Sequence, residues 1–263
     1  MFQIIDPGAV GGGIAVAMFF GILICLAVGR RIGQGVIARS GAAGVANVGS
    51  LETAVFALLG LLIAFTFSGA LSRFDVRRAQ VVDEANAIGT AYLRIDLLPA
   101  SVQPRLRQTF RDYVDARIAT YQKLPDLHAA ERELTRSQEL QTQIWDQAVA
   151  AVSMPESRPG TQFVVMPALN QMFDITTVRV FATYMHPPMI VYAMLIGLAL
   201  ASALLAGYQT AGEKAYDWVH QVGFAGIVAF TLFVILDIEY PRSGWIRIDA
   251  IDQALINIRA SMK

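Results

Sequence analysis

The chain has 263 residues, 55% of them hydrophobic and 16% charged. That is more apolar than a soluble domain of this length and marks a membrane protein. The 21 Lys and Arg are matched by 21 Asp and Glu, so no net field favours nucleic acid and a nucleic-acid binder is excluded. Cys25 is the one cysteine, which rules out a disulfide or a thiolate metal site within one chain.

Four apolar stretches are long enough to cross a bilayer: Ala9–Gly29, Thr53–Leu71, Pro188–Gly207 and Val222–Leu236, the last extended towards the interface by Ile238 and Tyr240. The opening MFQIIDPGAVGGG has no basic n-region, and arginines follow the first stretch at AVGRR, so this stretch reads as a retained span. Its Gly11, Gly12, Gly13 and Gly21 predict a helix-packing face. The second stretch has no charge from Thr53 to Leu71 and runs without a proline into a soluble amphipathic segment. There the apolar positions Phe74, Val81, Ala85, Ile88, Tyr92 and Ile95 keep helical spacing until Pro99. The two parts predict one rod of roughly 65–70 Å. Its apolar stripe needs neighbours to cover it, and one short domain offers little cover, so a homo-oligomer is expected.

Residues 73–186 read as a helical soluble domain. Pro104 opens a helix with Phe110, Val114, Ile118 and Tyr121 on one face, closed by Pro125. Leu127–Val152 carries Leu134, Ile144, Ala148 and Val152 and ends before MPESRPG. Pro167 lies near the start of a helix with Leu169, Phe173, Thr176, Val180 and Tyr184, which runs to His186-Pro187-Pro188. The sequence thus predicts an all-α membrane protein, four transmembrane helices with a helical soluble domain between spans two and three. Its parts are 1–72, two spans; 73–186, the soluble domain; 187–240, two spans; and 241–263, a C-terminal segment. Arginines near the membrane ends favour a cytoplasmic central domain and termini in an inner (plasma) membrane. On that side stand Arg73, Arg77, Arg78, Arg179, Arg242 and Arg247, against Arg30, Arg31, Arg39 and Lys214 on the other.

Three groups of residues are candidates for function. Leu58, Leu62, Phe65, Thr66, Ser68 and Gly69 recur on the second span and can line a narrow, mostly hydrophobic constriction. The alternative is that the hydroxyls bond only to their own helix or a neighbour. Arg73, Arg77, Asp83 and Glu84 crowd the point where the rod leaves the membrane, either as a charged ring at a pore mouth or as an anchor at the headgroups. Asp83 and Glu84 need partners, for which Arg94 and Arg242 are the candidates. Asp237 and Glu239 interrupt the last span and are either intramembrane acids or interfacial caps. His128, His186 and His220 are far apart, and no HExxH, phosphate-binding glycine loop or nucleophile with a base is present. No enzyme, cofactor or metal is expected.

LLGLLIAFTFSGALSRFDVRR, VVDEANAIGTAYLRIDLLP and LDIEYPRSGWIRID together resemble the bestrophin-like family of bacterial and plant membrane proteins. The resemblance spans most of the chain and implies four spans around a helical domain. The more distant similarity to bestrophins proper implies a homo-oligomeric, pentameric anion channel conducting ions such as chloride. With no catalytic constellation, the sequence reads first as an oligomeric ion channel whose second spans surround an axis. A non-conducting membrane scaffold or signalling protein whose helical domain docks a partner is the alternative. Its partners are then further copies of itself, the lipid bilayer and a permeant ion.

Overall fold

The computed structural model describes residues 7–41, 49–124, 126–213, 218–242 and 244–263, without the side chains of 7–10. The start of the chain, Pro125 and Lys214, used above, lie outside the described residues. The helices are α1 Pro7–Ser40, α2 Gly49–Arg94, α3 Gln103–Gln122, α4 Leu127–Val152, α5 Gln162–Ala182, α6 Met189–Gln209, α7 Trp218–Glu239 and α8 Gln253–Ser261. Helices α1, α2, α6 and α7 are long and apolar enough to cross a membrane. The protein is an all-α, multi-pass membrane protein with a helical domain between its second and third spans.

Most boundaries follow the sequence signals, and the structure adds detail at three. Helix α1 continues eleven residues past Gly29, the end of the apolar stretch, to Ser40, so Arg30 is helical, and it donates to the Glu213 carbonyl at 2.8 Å. An arginine one turn from the hydrocarbon keeps its helix because the side chain reaches the interface while the backbone stays bonded. Helix α5 begins at Gln162 and holds Pro167 inside it. A proline this close to the start removes a single backbone donor and leaves the helix intact. The C-terminal segment forms α8, whose Leu255 is fully buried.

The chain divides into two units. One comprises Phe74–Met185 with Pro241–Lys263, the other the described residues up to Arg73 with His186–Tyr240. In the first, the stripe read from the sequence is the core: Phe74, Val81, Ala85, Ile88, Tyr92 and Ile95 are all buried. Ala85, Ile88, Tyr92 and Ile95 meet Leu106, Phe110, Tyr113 and Val114 of α3, Leu140, Ile144 and Ala148 of α4, Leu169 and Met172 of α5, and Leu255 of α8. The stripe expected to require other copies is therefore covered by its own chain. Three amphipathic helices and α8 together present the apolar area that one helix alone lacks.

In the second unit, α1 packs on α6 and α7. Lipid is as apolar as leucine, so close packing must hold these helices together. The α1–α6 crossing is built for it. A Cβ on Gly29 would collide with the Leu204 carbonyl, and one on Gly207 with the Leu26 carbonyl. A Cβ on Gly33 would lie 2.6 Å from both the Tyr208 carbonyl and the Ala211 Cβ. Two backbones thus touch reciprocally. The triple glycine at 11–13 has a smaller part, since Gly12 and Gly13 face open space.

Gly207→Leu must therefore push α6 off α1, because the obstructing atoms are backbone and have no rotamer to yield. Overpacking costs about 1–3 kcal/mol where side chains can move, and here the loss should reach the upper end or beyond. Gly223→Ala adds a methyl group to open space and should melt like the wild type. Thermal melting of the detergent-purified variants checks both; equal melting of Gly207→Leu and wild type would mean that the helices are not in contact there.

Candidate functional site

Between Leu51 and Arg73, α2 buries only Leu59, Thr66 and Ala70, an edge of spacing seven and four that meets its own unit. The opposite side is open, with Leu58 at 51%, Leu61 at 52% and Phe65 at 68% exposure, followed by exposed Ser68. Of the six residues read as a constriction, Leu58, Phe65 and Ser68 lie on this open side, and Leu62 and Gly69 flank it half-buried. Thr66 does not. It faces its own unit, and its hydroxyl donates to the Leu62 carbonyl at 2.6 Å, because a threonine without a polar neighbour in hydrocarbon satisfies itself on the preceding turn. Leu61 joins the open side and was missed, since periodicity within an all-apolar span does not say which face is covered.

At the end of α7, Asp237 and Glu239 are buried. Glu239 accepts from Arg73 Nε at 2.9 Å and also from Arg73 Nη2. His186 Nδ1 stands 3.3 Å from its other oxygen, and the His186 ring stacks on Tyr240 with centroids 4.7 Å apart. Arg73, read as a pore-mouth or anchor residue, is thus the counter-charge that lets Glu239 stay out of water.

The remaining charges of that group lie in the helical unit. Arg77 is buried and donates to the carbonyls of Ala182 and Met185 at 3.2 and 3.0 Å, closing the end of α5. Arg78 reaches Asp75 at 3.4 Å, and Asp83 is exposed. Glu84 is fully buried and corrects both the expected location and the expected partners. It is neither on a pore wall nor at the headgroups, because α2 turns it into the core beside Val81, Ala85 and Ile88. Its partners are not Arg94, which donates to the Val164 carbonyl, nor Arg242, which pairs with Asp252. They are Arg117 of α3 and Arg179 of α5.

Arg117 Nε donates to Glu84 at 2.6 Å, its Nη2 to the other carboxylate oxygen at 3.3 Å and to the Tyr121 hydroxyl at 2.8 Å. Arg179 donates to Glu84 as well. Three guanidinium carbons stand over the Tyr121 ring: Arg179 at 4.3 Å, Arg242 at 4.5 Å and Arg117 at 5.3 Å. Burial pushes the Glu84 carboxyl up, but the charges of Arg117 and Arg179 and their hydrogen bonds outweigh it and hold the group down at about 2. Burial and the Glu84 charge push the Tyr113 hydroxyl up to about 12. It therefore stays protonated, hydrogen-bonded to Thr176 at 2.9 Å and to Gln141 at 3.3 Å.

The sequence did carry a sign of this cluster. Arg117 follows Phe110, Tyr113 and Val114 at helical spacing, and Arg179 follows Met172 and Thr176, so both cations sit within buried stripes. A charge in such a stripe demands a buried counter-charge. Among the described residues, no group of three or more His, Cys, Asp or Glu stands close enough to hold a metal ion.

A family model, the Bestrophin-like domain, matches residues 15–251, and the chain belongs to that family. No curated protein and no solved structure matches it.

Glu84→Gln removes the one carboxylate shared by two buried guanidiniums. Breaking a buried pair in this way costs about 3–5 kcal/mol, so the variant should melt well below the wild type. The same carboxylate sets an acid limit. Its folded value lies below the ~4.3 of an unfolded glutamate, so its stabilisation is present above that range and is lost as pH falls towards about 2. Helicity followed by circular dichroism from pH 6 to pH 2 should hold through pH 4 and fail below it. In Glu84→Gln this acid step should be diminished.

Proposed function

We propose that this bestrophin-like chain is one subunit of a homo-oligomeric ion channel, anion-conducting, in which α2 of each copy lines the pore. The observation that carries this reading is the open side of α2. Leu58, Leu61, Phe65 and Ser68 form one uncharged, exposed line on a span that buries little else. Beyond the membrane the same helix exposes Val76, Val82 and Leu93. Within the bilayer lipid alone could cover the exposed phenylalanine; on the aqueous half, association with other copies would bury the exposed valines and leucine. Other copies of the chain, five by the layout of bestrophins, account for both.

A ring of phenylalanines and leucines excludes water until it widens or becomes polar, which makes it a gate as well as a constriction. Leu62 and Gly69 belong to its flanks, and Thr66 supports it from behind. Asp83, exposed near Val82, is the candidate charge along the conduit, and Arg73 with Glu239 anchors the end of the span. The arginine excess beside the helical domain supports an inner-membrane channel with that domain and both termini in the cytoplasm.

Phe65→Ala or Leu58→Ser should raise conductance or open probability in single-channel recordings of purified protein in planar bilayers. If both variants behave as the wild type, the pore is not on this face. Should the purified oligomer stay electrically silent, the second reading takes over: a non-conducting scaffold whose exposed Val82, Leu93 and Phe163 dock a partner. Orientation is tested apart from conduction. Reporter fusions in the Met154–Gly160 loop and after Lys263 should both report cytoplasm, and a periplasmic signal at both would invert the topology.

A further inference from the structure

We infer that the helical domain holds a resident small-anion site, selective for a halide, formed by Arg117, Tyr121, Arg179 and Arg242. Charge is the first ground. Arg117 and Arg179, both buried, share the single carboxylate of Glu84, and the buried side of the cluster keeps one positive charge in excess. Arg242 adds its guanidinium on the Tyr121 ring, with Asp252 as its own partner and Asp249 at 3.3 Å. Asp249 also serves the exposed Arg247.

The second ground is a donor without an acceptor. Arg117 Nη1 is buried and has no hydrogen-bond partner, on a side chain with no exposed surface. Leaving such a charged donor unmatched is expensive. Tyr121 has a donor to give as well. Its oxygen accepts from Arg117 Nη2, which leaves its own O–H directed elsewhere.

One anion accepting from Arg117 Nη1 and the Tyr121 hydroxyl would satisfy both donors and cancel the excess charge. The cluster is closed around Arg117 and opens towards Tyr121 and Arg242, which are only partly buried, so the ion enters from that side. The enclosure of Arg117, whose side chain has no exposed surface, favours a single desolvated atom over phosphate or a carboxylate, whose further oxygens would need space and donors of their own. This site is separate from the pore: it is an equilibrium binding site in the helical domain and does not depend on conduction.

Thermal melting of the full chain in detergent, at constant ionic strength with gluconate replaced by chloride or bromide, tests the inference. The wild type should gain several degrees, saturably, in either halide and little in phosphate. Tyr121→Phe keeps the ring beneath the guanidiniums but loses the hydroxyl, which also accepts from Arg117 Nη2; it should melt below the wild type in gluconate and, measured from that lower baseline, lose most of the halide gain. Phe65→Ala, in the proposed pore, should keep the whole gain, so that failure of the channel reading and failure of this site are told apart. In crystals grown in bromide, anomalous density should stand within hydrogen-bonding distance of Arg117 Nη1. A wild type indifferent to halide, an equal gain in phosphate, an undiminished gain in Tyr121→Phe, or bromide-grown crystals without that density would each overturn the site.

Discussion

A fully buried carboxylate fixes the helical domain. Glu84 is reached by Arg117 from α3 and Arg179 from α5, so three helices are tied at one point where water cannot screen the charges. Desolvating three ions is costly, and hydrophobic residues of the same volume can be as stable. What an apolar cluster would not supply is register. Slipping α2 by one residue past α3 would leave Glu84 and two guanidiniums unpaired, whereas leucine slipping past leucine loses far less. The surrounding core, from Ile88 and Phe110 to Ile144 and Met172, supplies the apolar burial; the ion cluster selects which packing of those side chains is the native one.

The membrane unit solves its packing problem differently. Hydrocarbon offers α1 and α6 no reward for burying leucine, so their association rests on contact distance. Gly29, Gly33 and Gly207 let the two backbones touch, and carbonyl oxygens meet Cα–H groups where side chains would otherwise stand. Glu239 is tolerated at the end of α7 because Arg73 and His186 face it. One unit therefore depends on a buried charge and the other on missing side chains, and each choice follows from the solvent around it.

How much of this the sequence displayed varied with the kind of signal. Charge-free length identified the four spans, and the spacing from Phe74 to Ile95 picked out the residues that form the core. Prolines were informative too, since Pro104 stands in the first turn of α3 and Pro167 near the start of α5, as their positions suggested. The partners of Glu84 were out of reach, because Arg117 and Arg179 are 33 and 95 residues away and pairing at such distance depends on how helices are arranged, not on local spacing. Thr66 shows the limit in the other direction. In a stretch where every residue is apolar or small, composition is the same on all sides, and only the packed neighbours distinguish the covered edge from the open one.

Helix α2 carries two stripes with different thermodynamic standing. The inner one is covered by its own chain along the aqueous half, so it contributes to the fold of a single copy and provides no pressure towards assembly. The outer one passes through two solvents. Within the bilayer, Leu58, Leu61 and Phe65 lose little by facing lipid, and their exposure alone does not drive helices together. In water, each square ångström of Val82 and Leu93 left open forgoes about 25 cal/mol. In the channel proposed above, the drive to assemble would therefore reside in the aqueous half of the helix. In the proposed channel, the continuous backbone would carry the membrane half of each copy into the same association, setting uncharged side chains around a common axis without requiring them to attract one another.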